Sequence, residues 1–229
     1  MEKSLRLHLT NYNMKLLDLS YVIENGMPTC GTPWHEHVNI KHLGLLEEVG
    51  RNTHALTFGS HTGTHMDAPY HFIESGHTIE MIPLEILCGE ISLVDFTRFT
   101  GGSVVKLEDV KQLKVTERML FRFDWFRTWK TPEFYKSFPY FDEDAIDYLI
   151  KGGIKLMAMD TPSPDYGGNI QSKEDSPNHK ALLKKDVVIV EYLTDTDQID
   201  LNKKHRIIAL PLKFKGSDGS PSRVILEEY

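Results

Sequence analysis

The sequence contains very little cysteine. Only Cys30 and Cys88 occur among 229 residues, and they lie far apart and outside a Cys-x-x-Cys spacing. This scarcity argues against a disulfide framework, and the spacing argues against a thiolate zinc site. Any metal site in this chain is therefore expected to use nitrogen and oxygen ligands.

The chain also lacks an excess of positive charge and any long apolar run. Its net charge is -7 and its pI is about 5.9, which argues against a nucleic-acid partner or an anionic membrane. The N-terminus lacks the apolar core of a signal peptide. We therefore expect a cytoplasmic protein, with residues 1–229 in a single domain and a small molecule as its substrate.

Potential metal ligands are concentrated in one short segment. Among the 11 histidines of the chain, His61, His65 and His71 fall with Asp67 in the sequence HTGTHMDAPYH. Glycine and proline inside the segment disfavour a regular helix. In an extended strand that enters a tight turn, odd-numbered residues project to one side, so the four side chains are predicted to converge. Spacing alone does not separate ligands from residues with other roles.

A second pair of candidates lies near the C-terminal third. Ser176-Pro177 is typical of a helix start, which places His179 in the first turn of a helix. Glu191 directly follows an apolar strand predicted over 187–190. The short connection allows the two side chains to face a common cavity. The alternative is a solvent-facing histidine and a glutamate at a strand end.

Periodicity predicts alternating strands and helices after a strand-rich first third. Helices are predicted over 106–113, 142–150 and 176–185. Strands are predicted over 16–23, 54–60, 90–96, 119–123, 154–159 and 187–190. This pattern by itself supports only a mixed α/β fold.

The segment HTGTHMDAPYHF, residues 61–72, resembles the signature of the cyclase family of metal-dependent hydrolases, which includes bacterial kynurenine formamidases and isatin hydrolases. The resemblance covers nearly the whole chain, because further short motifs occur in the family's order. These motifs are DLS at 18–20, NGMP at 25–28, DTPSPD at 160–165, ALPL at 209–212 and DGSP at 218–221.

The resemblance implies a single α/β domain of the swivelling β/β/α type, with a central mixed or barrel-like sheet and flanking helices. It also implies two divalent metal ions per subunit, zinc or manganese. One ion would be held by His61, His65 and Asp67. The other would be held by Asp67, His179 and Glu191, so that Asp67 bridges the two ions. Family members are commonly homodimers or homotetramers.

The expected activity is hydrolysis of a small amide by water that the ions activate. In the formamidases the position of His71 donates and accepts protons. The resemblance therefore implies an arylformamidase that converts N-formylkynurenine to kynurenine and formate. A hydrolase of an isatin-like cyclic amide is the alternative, and a non-catalytic metal or small-molecule binding protein is a further one.

The sequence does not identify the residues that contact the substrate. The family's N-terminal tryptophan has no clear match, and Trp34 lies in a shorter stretch, PTCGTPW. The aromatic-rich residues 121–141 are compatible with a pocket wall, a subunit contact or core packing. The DTPSPD loop is expected either to bind ligand or to cap turns. Residues 215–223 lack the ending of a phosphate-binding P-loop and are interpreted as a loop before the last strand.

Overall fold

The computed structural model describes residues 15–167 and 175–229. The helices of this part are α1 Leu46–Val49, α2 Leu84–Leu87, α3 Leu107–Val110, α4 Glu133–Lys136, α5 Glu143–Lys151 and α6 Pro177–Leu183. The strands are β1 Lys15–Asp18, β2 Asn39–Gly44, β3 Thr53–Thr57, β4 His65–Asp67, β5 Cys88–Glu90, β6 Ser92–Asp95, β7 Val104–Val105, β8 Arg118–Arg122, β9 Tyr140–Phe141, β10 Leu156–Met159, β11 Val188–Glu191, β12 His205–Pro211 and β13 Gly219–Glu228. Short 3₁₀ turns occur at Pro69–His71, Ile79–Met81, Trp125–Thr128 and Thr196–Gln198.

The largest sheet of the described residues has nine strands in the order β5-β12-β13-β4-β11-β10-β8-β6, with β1 paired to β13. Strands β6, β8, β10 and β11 run parallel, whereas β4, β12 and β13 pair antiparallel. Only Ile91 separates β5 from β6, although these strands lie at opposite ends of the order. The chain therefore brings the two ends of the sheet together, which nearly closes it into a barrel.

Apolar residues cover both faces of the parallel strands. In β8, Met119 and Phe121 join one buried cluster, whereas Leu120 joins a second cluster on the opposite face. The same alternation separates Met157 from Ala158 in β10. Because both faces of these strands are buried, their sequences are nearly continuous apolar runs without polar alternation. The predicted α/β class and mixed, barrel-like sheet are confirmed.

Several predicted elements are confirmed, with shifted boundaries. The 142–150 helix is α5, and the Asp142 carboxylate caps it by accepting the Ala145 N–H at 2.8 Å. The predicted strands at 119–123, 154–159 and 187–190 correspond to β8, β10 and β11. Glu191 is the last residue of β11 instead of the residue after it.

Other details of the prediction are wrong. The 106–113 helix is a single turn, α3, and the 54–60 strand ends at Thr57. The 90–96 strand divides into β5 and β6, because the chain changes its pairing partner at Ile91. The 16–23 strand is regular only in β1. Ser176 has φ 57° and makes no side-chain capping bond, so α6 begins at Pro177 without the predicted serine cap.

Within residues 15–167 and 175–229, no helix has the length and apolarity needed to cross a membrane.

The central strands carry much of the stability. Leu120 is fully buried in β8, so Leu120→Ala should lower the free energy of unfolding by about 2–5 kcal/mol through lost apolar burial and a residual cavity. Leu84 makes the matched control, because its side chain is 64% exposed, and Leu84→Ala should change stability by less than about 0.5 kcal/mol. Chemical denaturation measures both values. Equal effects would contradict this assignment of the core.

Candidate metal centre

Three of the six candidate side chains leave the same face of the sheet. Strand β4 lies between β11 and β13, and its register places His65 opposite Glu191 and Asp67 opposite Ile189. Directly opposed residues of an antiparallel pair share a face, as do residues two apart in a strand. Met66, between them, points into the opposite apolar cluster. The strand pairing therefore brings His65, Asp67 and Glu191 together.

The turns at either end of β4 add His61 and His71. Gly63 has φ +59°, and a Cβ atom there would lie 2.7 Å from Met27 Cε, so the tight turn between His61 and β4 favours glycine. Gly219 lies opposite Asp67, where a Cβ atom would come within 2.9 Å of His61 Cε1. The absence of a side chain at Gly219 leaves room for the His61 ring. His71 ends the 3₁₀ turn after β4.

The sixth side chain, His179, reaches the centre from α6. Asp165 fixes it, because one carboxylate oxygen accepts the backbone N–H of His179 at 3.0 Å and faces its Nδ1 at 2.6 Å. The other oxygen accepts the backbone N–H of Asn178 at 2.7 Å. The DTPSPD loop thus anchors the first turn of α6 and orients the His179 ring.

Asp67 lies in the middle of the assembled group. Its Oδ1 atom is 2.7 Å from His61 Nδ1 and 3.4 Å from His65 Nε2. Its Oδ2 atom is 3.3 Å from His179 Nε2. Glu191 lies between the other two rings, with one oxygen 3.4 Å from His65 Nε2 and the second 3.2 Å from His179 Nε2. The two carboxylates therefore alternate with three imidazoles around a common centre.

The centre is buried and incompletely satisfied. Asp67 and Glu191 are 1% and 3% exposed. In the part of the chain that the structure describes, Asp67 Oδ1 and Glu191 Oε1 accept no hydrogen bond of good geometry. Burial raises the pKa of Glu191, and the neighbouring Asp67 carboxylate raises it further. Orphaned buried carboxylate oxygens of this kind fit a site for divalent cations.

Each of the three central histidines turns its second nitrogen to an outer acceptor. His61 Nε2 is 2.8 Å from Asp218 Oδ2, His65 Nδ1 is 2.8 Å from the Gly63 carbonyl, and His179 Nδ1 contacts Asp165. When one ring nitrogen of a neutral imidazole donates its N–H to an outer acceptor, the other nitrogen has a lone pair that can bind a metal ion at the centre. This arrangement is typical of metal-binding histidines. The donor set and its outer acceptors therefore suit a metal ion.

The pKa values of His61 and His71 shift in opposite directions, although both rings face Asp218. Burial lowers the pKa of His61, but the Asp67 and Asp218 carboxylates together raise it to about 10. Burial and then the neighbouring His61 lower the pKa of His71. His71 Nδ1 lies 3.1 Å from Asp218 Oδ2, and its side chain is 24% exposed. Of the four imidazoles that face Asp67 or Asp218, His71 is the most accessible.

Asp165 and Asp218 were not among the site residues expected from the sequence. Both lie in motifs that the sequence analysis identified, DTPSPD and DGSP, but no local pattern indicates which acid of such a loop reaches a histidine. Asp218 precedes β13, and its backbone carbonyl accepts the Ala68 N–H at 2.9 Å. The position of Asp218 beside its histidines therefore depends on the pairing of β13 with β4. Such a contact forms between residues that are distant in the sequence, so it becomes visible only in the folded structure.

A cavity of about 420 Å³ opens onto the centre. It contains all six candidate residues, and its wall is rich in aromatic side chains, namely Trp34, Phe72, Tyr135, Phe138, Tyr166 and Tyr192. His35 also lines it, and burial and then His61 lower the pKa of His35 to about 4, so this ring is neutral at physiological pH. The cavity therefore presents a polar floor and a largely aromatic wall.

The aromatic segment 121–141 serves mainly as core. Phe121, Phe123 and Phe141 are buried in the cluster beneath α5, whereas Tyr135 and Phe138 also reach the cavity. Core packing is thus the main role of the segment, with a smaller contribution to the pocket wall. Trp34 lines the cavity but is 66% exposed, so it lies at the rim.

The fold and the site together define a metal-dependent hydrolase. A family model described as "Putative cyclase" matches residues 17–166. The chain is 30% identical to a kynurenine formamidase of Bacillus anthracis over 220 residues, which cover 93% of this chain and 97% of that protein. The chain belongs to the cyclase family.

Solved structures share the fold. Isatin hydrolase A from Ralstonia solanacearum superposes with a TM-score of 0.83 at 21% identity, covering 94% of this chain and 92% of that one. A protein described as a predicted metal-dependent hydrolase from Bacillus stearothermophilus gives a TM-score of 0.75 at 29% identity, covering 94% and 99%. These matches extend over nearly the whole of each chain.

Asp165 is expected to strengthen metal binding through His179. Asp165→Asn removes the charge behind His179 Nδ1 and should weaken zinc affinity about 10- to 100-fold, as loss of an outer acceptor does elsewhere. Asp186→Asn is the matched control, because Asp186 contacts His77 Nδ1 at 2.9 Å at the exposed surface. This variant should keep the zinc affinity of the wild type. Competition with a chromogenic chelator measures both affinities. An unchanged affinity in Asp165→Asn would contradict the assignment, provided that thermal melting shows a folded variant.

Proposed function

We propose that this protein is an arylformamidase that uses two divalent metal ions, zinc or manganese, to hydrolyse N-formylkynurenine to kynurenine and formate. The observation that carries the proposal is the position of Asp67 between two groups of side chains, with its two oxygens facing different histidines. In this proposal His61, His65 and Asp67 hold one ion. Asp67, His179 and Glu191 hold the other.

Bound divalent cations polarise a carbonyl oxygen and lower the pKa of water, which makes water a nucleophile at neutral pH. The protein's own residues supply the remaining parts of the reaction. The buried carboxylates and imidazoles form the centre, and the cavity above it has a largely aromatic wall. Water adds to the amide carbonyl carbon while His71 takes up a proton from it. The C–N bond then breaks, and His71 returns that proton to the departing nitrogen.

His71 is suited to this role for two reasons. It lines the cavity and is more exposed than His65 or His179. Burial and then the neighbouring His61 lower its pKa, which favours the neutral ring that a proton acceptor needs. A group of three ligand atoms that includes His71 with His61 and Asp67 also lies close enough to hold an ion. Metal analysis of variants therefore has to separate proton transfer from ligation.

The choice of substrate is supported by the relatives. The 30% identity to a kynurenine formamidase extends over nearly the whole of both chains, and the aromatic wall suits a substrate with a planar ring. An isatin-like cyclic amide is the second candidate, and the similarity in fold to isatin hydrolase A motivates its inclusion. Both substrates contain a carbonyl-to-nitrogen bond next to an aromatic ring.

We also propose a homodimer or homotetramer that acts in the cytoplasm on a small-molecule amide. The hairpin of β2 and β3 with α1 supports an oligomer, because Leu43, Leu46, Val49 and Leu56 are more than half exposed there. Several exposed apolar side chains within one small part of a fold are typical of subunit contacts. Both cysteines are free, as is usual in a reducing compartment.

Metal-dependent turnover is the first expectation. The purified protein loaded with zinc or manganese should hydrolyse N-formylkynurenine with kcat/KM of about 10⁴ M⁻¹s⁻¹ or more. A chelator should abolish this activity, and added metal should restore it. No turnover by protein with bound metal would reject this substrate, and the same assay with isatin would then test the second candidate.

Variants separate proton transfer from ligation. His71→Ala should reduce kcat about 10²- to 10⁴-fold because a general acid is lost, while metal content stays nearly intact. Asp67→Ala should lose both metal and activity. His77→Ala is the control, because His77 lies at the surface beside Asp186. Elemental analysis and initial rates measure the outcomes, and loss of metal from His71→Ala would instead identify His71 as a ligand.

A further inference from the structure

Asp218 contacts two histidines with one atom. Its Oδ2 lies 2.8 Å from His61 Nε2 and 3.1 Å from His71 Nδ1. The two rings are close, with centroids 4.0 Å apart. A carboxylate oxygen can accept two N–H donors, so a single side chain can orient both rings at once.

The backbone holds Asp218 in place. The Asp218 carbonyl accepts the Ala68 N–H at 2.9 Å, and the preceding Ser217 carbonyl accepts the Ile79 N–H at 2.9 Å. These bonds tie the turn before β13 to both sides of the 3₁₀ turn that carries His71. The separation between Asp218 and His71 is therefore set by backbone contacts and not only by flexible side chains.

The contact determines which nitrogen carries the proton in a neutral ring. An ionised carboxylate only accepts hydrogen bonds, so the ring nitrogens that face Asp218 are the protonated ones. For His71 the nitrogen that faces Asp218 is Nδ1, so a neutral His71 ring keeps the lone pair of Nε2. A histidine held in the wrong tautomer cannot transfer a proton at the required atom.

We propose that Asp218 is a positioning residue that holds His71 as its Nδ1–H tautomer, so that His71 Nε2 takes up and delivers the proton during amide hydrolysis. The same carboxylate oxygen orients His61. The catalytic consequence rests on the proposed function, whereas the tautomer of His71 does not. Asp165 differs from Asp218 because, among the six candidate residues, its side chain orients only His179.

Kinetics of metal-saturated variants test the catalytic part. Asp218→Ala should lower kcat about 10- to 100-fold with little change in KM, because an interaction that matters in the transition state is lost. Asp218→Asn keeps an acceptor oxygen and should fall between wild type and Asp218→Ala. Asp186→Ala, which removes the surface acceptor of His77, should leave both constants unchanged. Metal content is measured in each sample.

A double variant distinguishes positioning from a general structural effect. If Asp218 acts through His71, Asp218→Ala should cost little further activity in a His71→Ala background. If the reduction in kcat of the double variant equals the product of the reductions in the two single variants, the two residues act independently and the proposal is overturned. Wild-type kcat in Asp218→Ala would overturn it as well.

The tautomer is measured without substrate. Long-range ¹H–¹⁵N spectra of zinc-loaded, histidine-labelled protein should show His71 protonated at Nδ1 in the wild type and shifted toward the Nε2–H form in Asp218→Ala. Asp218→Asn, which keeps an acceptor oxygen, should fall between the two. A His71 ring protonated at Nε2 in the wild type would refute the inference. If the tautomer is as expected but no amide is hydrolysed, the proposed function fails while the role of Asp218 stands.

Discussion

The burial of two carboxylates side by side is the constraint on which this site depends. Asp67 and Glu191 lie among His61, His65 and His179, and one oxygen of each carboxylate accepts no hydrogen bond within the described residues. A buried, incompletely paired carboxylate is costly, and a second one nearby increases the cost. Divalent cations between the carboxylates and imidazoles would remove this cost, which is why the arrangement suits a metal centre better than a hydrogen-bonded core.

The fold creates this arrangement through strand pairing. Strand β4 has only three residues, yet it lies between β11 and β13, and its register sets His65 opposite Glu191. Strand β13 places Gly219 beside the His61 ring and Asp218 within reach of two histidines. A shift of one residue in this register would turn His65 and Asp67 into the opposite apolar cluster. The stability of the sheet and the geometry of the site are therefore linked.

The structure groups the six candidate residues as the sequence predicts, whereas it shifts or shortens several of the predicted elements. The six candidate residues were identified because four of them share one short segment and the remaining two follow the order of a known family, and the structure brings all six around one cavity. Their roles as ligands or proton carriers stay predictions. Asp165 and Asp218 were missed because each meets its histidine only through tertiary contacts.

The errors in the predicted elements have local causes. A glycine-rich turn follows β3, so the strand leading to His61 ends at Thr57. The serine before α6 adopts a left-handed backbone conformation, so it cannot act as the expected cap. For the aromatic segment 121–141 the sequence supports three interpretations, because composition does not show which rings face the interior. Most of them lie in the same buried cluster as the apolar residues of α5.

Anomalous diffraction from crystals of the zinc-loaded protein tests whether Asp67 lies between two metal ions. Two bound ions should give two peaks on either side of the Asp67 carboxylate, one near His61 and His65 and the other near His179 and Glu191. A single peak, or a peak that contacts neither oxygen of Asp67, would contradict a centre in which this residue bridges two ions.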